Sequence, residues 1–165
     1  GSSKAVIIFS LTFFKFVFAM FLSFVPGFLG LLVAPISSVG IVWYNTLNRS
    51  VLTPAGWVFS FVWTILYFFL GIALFLVMQK TNIDKTNAYI LFAINIIFNT
   101  LWSFAFFGAE MPEVALIILT ALIVTAIFMA RSFFRISGAA FWLTVPYIAW
   151  LMFAFYLNGM IIYLN

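Results

Sequence analysis

Three sets of residues in this chain recur at a spacing of four. Asn95, Asn99 and Ser103 form one set, Phe59, Trp63 and Tyr67 a second, and Pro146, Trp150, Ala154 and Asn158 a third. On a helix that spacing puts side chains on one face. Each set lies inside a long apolar run, where amide, hydroxyl and indole groups are costly unless partnered. Two chemistries suit them. Amides and hydroxyls hydrogen-bond neighbouring membrane helices together, at roughly 0.5–2 kcal/mol each. Alternatively, aromatic rings with a few polar atoms hold a flat hydrophobic ligand in a pocket. Trp43, Tyr44, Trp57 and Trp142 fit the aromatic belt at a membrane surface. Trp63, Trp102 and Trp150 sit a turn or more inside their runs, beside Tyr67 and Asn99, and favour the pocket.

Other chemistries lack their residues. The chain has no Cys and no His. That removes disulfides, thiolate nucleophiles and iron–sulfur ligands, and the usual zinc or haem ligand and general base. The acidic residues are only Asp84, Glu110 and Glu113, each near a gap between apolar runs, so no hard-metal cluster is expected. The nine glycines form no phosphate-binding loop. Ordinary enzymatic turnover is therefore not expected, no cofactor is required, and no metal is expected.

The elements that must position these residues follow from composition. The chain has 165 residues, 67% of them hydrophobic and only ten charged (seven basic, three acidic). A soluble domain carries about a quarter charged residues, so the surroundings are lipid. The basic residues flank apolar runs, which argues against nucleic acid as a partner. A bilayer core of about 30 Å takes about 20 apolar residues as helix. Five runs qualify: 5–34, 57–78, 88–107, 114–130 and 139–163. The expected fold is all-α, a single polytopic domain over 1–165 built as a bundle of five transmembrane helices. Three gaps are short and make neighbours antiparallel. The gap at 35–56 is long, rich in Pro, Ser, Asn, Trp and Tyr, and lid-like. The run at 114–130, almost wholly aliphatic, is expected to be the most lipid-exposed. Gly30/Ala34 and Ala105/Ala109 offer small faces for packing or dimerisation. The opening Gly1-Ser2-Ser3 lacks an initiator Met and is expected to be a cloning remnant.

Five crossings put Lys4, Lys15, Lys80, Lys85, Arg131 and Arg135 on one face and Arg49, Glu110 and Glu113 on the other. The positive-inside rule then places the N-terminus in the cytoplasm and the 35–56 loop opposite. If the first span begins near Phe16, Lys15 snorkels at the interface. If it begins at Ala5, Lys15 is buried and becomes a functional suspect.

The stretch WYNTLNRSVLTPAGWVFSFVWTILY, Trp43 to Tyr67, resembles the signature of the translocator protein family, also called tryptophan-rich sensory proteins or peripheral benzodiazepine receptors. Trp43, Tyr44, Leu47, Arg49, Pro54, Trp57, Phe59, Val62, Trp63, Thr64, Leu66 and Tyr67 match that pattern. Ser50 and Ala55 stand where the family has prolines, so the loop is expected to be less rigid. NTLWSFAFFG, Asn99 to Gly108, and PYIAWLMFAFYLN, Pro146 to Asn158, continue the similarity in the family's order. Gly159 departs where many members have Tyr, and no basic residue follows, so a sterol partner is doubtful.

The resemblance implies a five-helix bundle with a ligand cavity near one membrane face, lidded by the first loop, and often a homodimer. It implies porphyrin (protoporphyrin IX) or another hydrophobic small molecule as ligand. The function expected is thus an integral membrane binding protein, acting as sensor, carrier or scavenger. Trp63, Tyr67, Asn99, Trp102, Trp150, Phe153 and Ala154 would build the pocket, with Trp43, Tyr44 and Pro54 from the loop and Arg49 at the mouth. Phe59, Asn95, Pro146 and Asn158 join them as ligand-site candidates through their stripes. Light-dependent porphyrin breakdown and a structural membrane subunit without a ligand are the alternatives.

Overall fold

The computed structural model describes residues 1–32 and 42–165. Part of the lid-like loop, including Pro35, and Ala34 of one small-residue pair lie outside the described residues. Among the described residues the fold is all helical. Its helices of known bounds are α1 (Ser2–Ser23), α2 (Val25–Leu32), α3 (Gly56–Gln79), α4 (Thr86–Ser103), α5 (Pro112–Ile136) and α6 (Gly138–Leu164), and residues 42–46 are helical as well. A π-helical turn, Phe104–Gly108, extends α4. Five of these helices, α1, α3, α4 with its extension, α5 and α6, are long and apolar enough to cross a membrane.

The first expected run is two helices, not one. Pro26 has no N–H to offer the Leu22 carbonyl, so the i to i−4 ladder breaks there. The Phe24 N–H still bonds the Met20 carbonyl at 3.1 Å, closing α1, and α2 restarts at Val25. Past the break α2 packs on α4, whereas α1 packs on α3. The remaining neighbours are α3 with α6, α6 with α5, and α5 with α4, which closes a ring of helices.

Gly71 sets the α1–α3 contact. A Cβ there would lie 2.5 Å from Met20 Sδ, 2.8 Å from Ser23 Oγ and 3.3 Å from Met20 Cα. Ala19 and Ser23, both fully buried, present the small face opposite. This Ala19–Ser23 pair has the small-xxx-small spacing that lets membrane helices approach closely. Further along, Phe16 meets Phe75 edge-on at 5.4 Å. The two helices run antiparallel, so Lys15 comes level with the last turn of α3. Lys15 is half-buried, and nearly all residues before it are exposed. The membrane-length apolar helix itself runs Ser2–Ser23, with Lys15 in its second half.

One expectation is overturned. The 114–130 segment is not the most lipid-exposed. Ala115, Leu119, Leu122, Ala126, Met129 and Phe133 make a fully buried stripe along α5, alternating steps of four and three that keep to one helix face. Their aliphatic chemistry is as good for packing against α4 and α6 as for facing lipid, which is why composition alone misled. Only 6% of the α1 span is buried, against 33% of the α5 span. α1 is exposed because it leans on α3 alone over most of its length. Ala105 is also buried, in a cluster with Phe106, Ala115 and Ile161, so it offers no dimer face.

Candidate functional site

The polar stripe of α4 is turned inward, and its partners come from other helices. Tyr147 of α6 donates its hydroxyl hydrogen to Asn95 Oδ1 at 2.6 Å. Asn99 Nδ2 donates to the same hydroxyl at 3.0 Å, and Asn95 Nδ2 reaches the Leu122 carbonyl of α5 at 3.4 Å. All three side chains are buried. Both ends of the Asn95 amide are thus engaged in joining α4, α5 and α6. One level nearer the loop, Trp102 Nε1 donates to Asn158 Oδ1 at 3.1 Å. Asn158 Nδ2 donates to the Pro112 carbonyl at 2.9 Å. Asn158 thereby ties α6 to both ends of the α4–α5 connection. Helix-joining is the observed role of these amides.

The aromatic residues meet beside this network. Trp63 of α3 is the hub. It lies 5.6 Å from Tyr67, 6.5 Å from Trp102 and 6.3 Å from Tyr147, centroid to centroid. Trp102 stacks on Phe106 at 5.8 Å. Phe106 and Phe107 stand on the π-helical turn, where the Ala109 N–H bonds the Phe104 carbonyl. The wider turn rotates both rings toward the loop, in keeping with the frequent use of π-bulges at functional sites. There Trp43 meets Phe106 at 5.7 Å, and Tyr44 meets Phe106 and Phe107 at 6.0 and 5.8 Å. A second group joins α3 to α6: Phe59 packs edge-on to Trp150 at 5.7 Å, and Trp150 packs on Phe153 at 5.5 Å. Trp150 Nε1 is buried without a hydrogen-bond partner, the sole such side-chain atom among the described residues.

The loop is fastened to α6. Ser50 Oγ lies 2.8 Å from the Tyr156 hydroxyl and accepts from the Leu52 N–H at 3.2 Å. Asn48 exchanges two hydrogen bonds with the Asn165 side chain, at 3.0 and 2.8 Å. The absent proline at position 50 is therefore offset by a tertiary tether. Arg49 is exposed, its guanidinium 4.6 Å from the Tyr44 ring centre, a cation–π contact. Pro54 is half-buried just before α3.

Not every candidate joins the site. Pro146 is exposed, whereas Ala154 and Asn158 of the same stripe are buried. Steps of four overshoot the helical repeat by about 40° each, so Pro146 and Asn158 point about 120° apart. The stripe wraps around α6 and is not one face. Three site residues, Tyr147, Phe106 and Phe107, escaped the stripe reading. Each lies within a motif whose neighbours were chosen, but none falls on an i+4 step from them.

Comparison with known proteins agrees with this architecture. The pattern of the TspO/MBR family matches residues 8–164. The tryptophan-rich protein TspO of Chlorobaculum tepidum is 37% identical over 126 residues, covering 74% of this chain and 79% of that protein. The tryptophan-rich sensory protein of Cereibacter sphaeroides is 32% identical over 145 residues, 85% and 87% of the two chains. The translocator protein of Ovis aries is 30% identical over 135 residues, 80% and 79%. The aromatic hub, the amide ties and the Ser50–Tyr156 tether fall within the matched residues, and this multi-pass membrane chain belongs to the TspO/MBR family.

Proposed function

We propose that this chain is a membrane binding protein for a planar hydrophobic ligand of the porphyrin class, acting as sensor, carrier or scavenger. The ligand would lie among Phe59, Trp63, Trp150 and Phe153 under the tethered loop. The observation that carries this reading is the Trp150 indole. A buried N–H without an acceptor costs about 1–3 kcal/mol, and a ligand carbonyl or carboxylate would relieve it. The surrounding rings offer the broad apolar surface that a flat macrocycle needs. Arg49, exposed at the loop, is available to a ligand carboxylate. The names of the relatives, sensory protein and translocator protein, are in keeping with ligand handling.

Orientation follows from charge. Six of the seven basic residues lie toward one face, so the tethered loop would open on the non-cytoplasmic side. A homodimer, implied by the resemblance, would need a lipid-facing surface other than Ala105.

The test is quenching of Trp fluorescence by protoporphyrin IX in detergent. Trp63→Ala and Trp150→Ala should each weaken binding. Unchanged affinity in both variants would sink the site.

A second reading has one observation in its favour. Tyr67, Trp63 and Trp102 form an unbroken line of oxidisable rings, which would sit beside a light-excited porphyrin. Bound porphyrin would then bleach under light faster than free porphyrin in the same detergent; equal rates would remove the idea.

A further inference from the structure

A concavity lies away from the aromatic hub, on the lysine-rich half of the bundle. It is a cleft of about 510 Å³ between α1, α3 and α4, walled by Phe18, Leu22, Leu74, Met78, Tyr89 and Ala93. It exists because Pro26 breaks the first span. α2 touches α4, but α1 diverges toward α3 and leaves α4 uncovered below the break. The walls are apolar, whereas the end near Met78 and Tyr89 is basic. Lys85 Nζ donates to the Met78 carbonyl at 3.2 Å and to the Lys80 carbonyl at 2.8 Å. It also lies 5.9 Å from the Tyr89 ring centre. An ammonium has three donors, so one remains. Lys15 precedes Phe18 and Leu22 by three and seven residues, which places it on the cleft-facing side of α1. Asp84 is the acidic residue nearest in sequence, and its carboxylate accepts from the Thr86 N–H at 3.0 Å. Glu110 and Glu113 lie at the other end of the bundle.

We infer that this cleft is a specific site for an anionic phospholipid. One acyl chain lies along the apolar walls, and the phosphate sits between Lys15 and Lys85. The volume is within the ordinary range for ligand sites, about 300–1,000 Å³. Basic pockets between membrane helices are the recurring way in which anionic headgroups are held. An uncharged or zwitterionic lipid would fill the cleft but gain nothing from the lysines. The site is separate from the aromatic hub and does not depend on porphyrin binding.

The experiment is native mass spectrometry of the detergent-solubilised protein offered an equimolar mixture of phosphatidylglycerol and phosphatidylcholine. The wild type should retain phosphatidylglycerol preferentially, with each lysine contributing about fivefold. Lys15→Gln, which leaves the Lys85 carbonyl bonds intact, should reduce the preference by about that factor. The Lys15→Gln, Lys85→Gln double variant should nearly abolish it. Ala93→Trp, which fills the cleft, should lower retention of both lipids. Equal retention by the wild type would overturn the inference. So would a preference that survives the double variant but disappears in Arg131→Gln, because Arg131 lines a different groove between α5 and α6.

Discussion

The Tyr147 hydroxyl sits 2.6 Å from Asn95 Oδ1, and Tyr147 is wholly buried while doing so. With Asn99 donating to the same oxygen, one phenol closes a hydrogen-bonded bridge between α4 and α6. In an apolar interior such a bridge is valuable chiefly because each member is expensive to orphan.

Tyr147→Phe should therefore destabilise the bundle without abolishing the site. It strands Asn95 Oδ1 and Asn99 Nδ2, at about 1–3 kcal/mol for each group left unsatisfied. At about 2–4 °C per kcal/mol for a chain of this size, the melting temperature in detergent should fall by several degrees. Protoporphyrin affinity, read by Trp quenching, should change little. A large loss of affinity with no change in melting would reverse the roles assigned here.

Trp150→Phe should behave in the opposite way. The ring area is largely kept and an unpaired buried donor is removed, so the ligand-free protein should be as stable as wild type or slightly more so. Affinity should drop by about tenfold, the equivalent of one hydrogen bond at roughly 1.4 kcal/mol. Thermal melts with and without protoporphyrin separate the two effects.

The loop tether predicts a proteolytic signature. Arg49 is exposed and directly precedes Ser50, whose hydroxyl is held by Tyr156. Ser50→Ala and Tyr156→Phe should each speed tryptic cleavage after Arg49, and the double variant should add little beyond either one. Additive acceleration would show that the two hydroxyls act separately.

Gly71→Val should disrupt the α1–α3 contact. The added carbons meet Met20 backbone as well as flexible side chains, and overpacking of this kind costs about 1–3 kcal/mol. The melting temperature should fall, whereas Gly30→Val, where a Cβ meets nothing within 4 Å, should leave it unchanged.

Asp84 supplies a pH dependence. Hydrogen bonds from the Thr86 backbone and side chain hold its carboxyl below the ordinary carboxylate value. A depressed folded-state pKa gives stability that is present above the ordinary value and is lost as pH falls through the lowered one. The difference in melting between wild type and Asp84→Ala should thus be seen at neutral pH and vanish in strong acid.

Much of this molecule was legible in one dimension. Ten charges in 165 residues dictate lipid as solvent, and apolar runs of helix-spanning length dictate five crossings, because a bilayer leaves the backbone few other ways to satisfy its polar groups. The order of motifs from Trp43 to Asn158 identifies the family. The family is legible because it is written in residue types and spacings. What periodicity could not say is which neighbour each face meets. It marked Asn95 and Asn99 as unusual and favoured helix-joining for each alone, yet it left ligand contact open. Tertiary structure adds the helix-joining bond itself, by bringing a tyrosine 52 residues away to within hydrogen-bond distance of Asn95. The same holds for the α5 stripe, whose aliphatic side chains pack as readily on protein as on lipid, and for Ser50, whose lost proline is answered by Tyr156 from the far end of the chain. Local chemistry set what each segment can be; only the packing of distant segments set what each polar atom is bonded to, and so which indole is left without a partner.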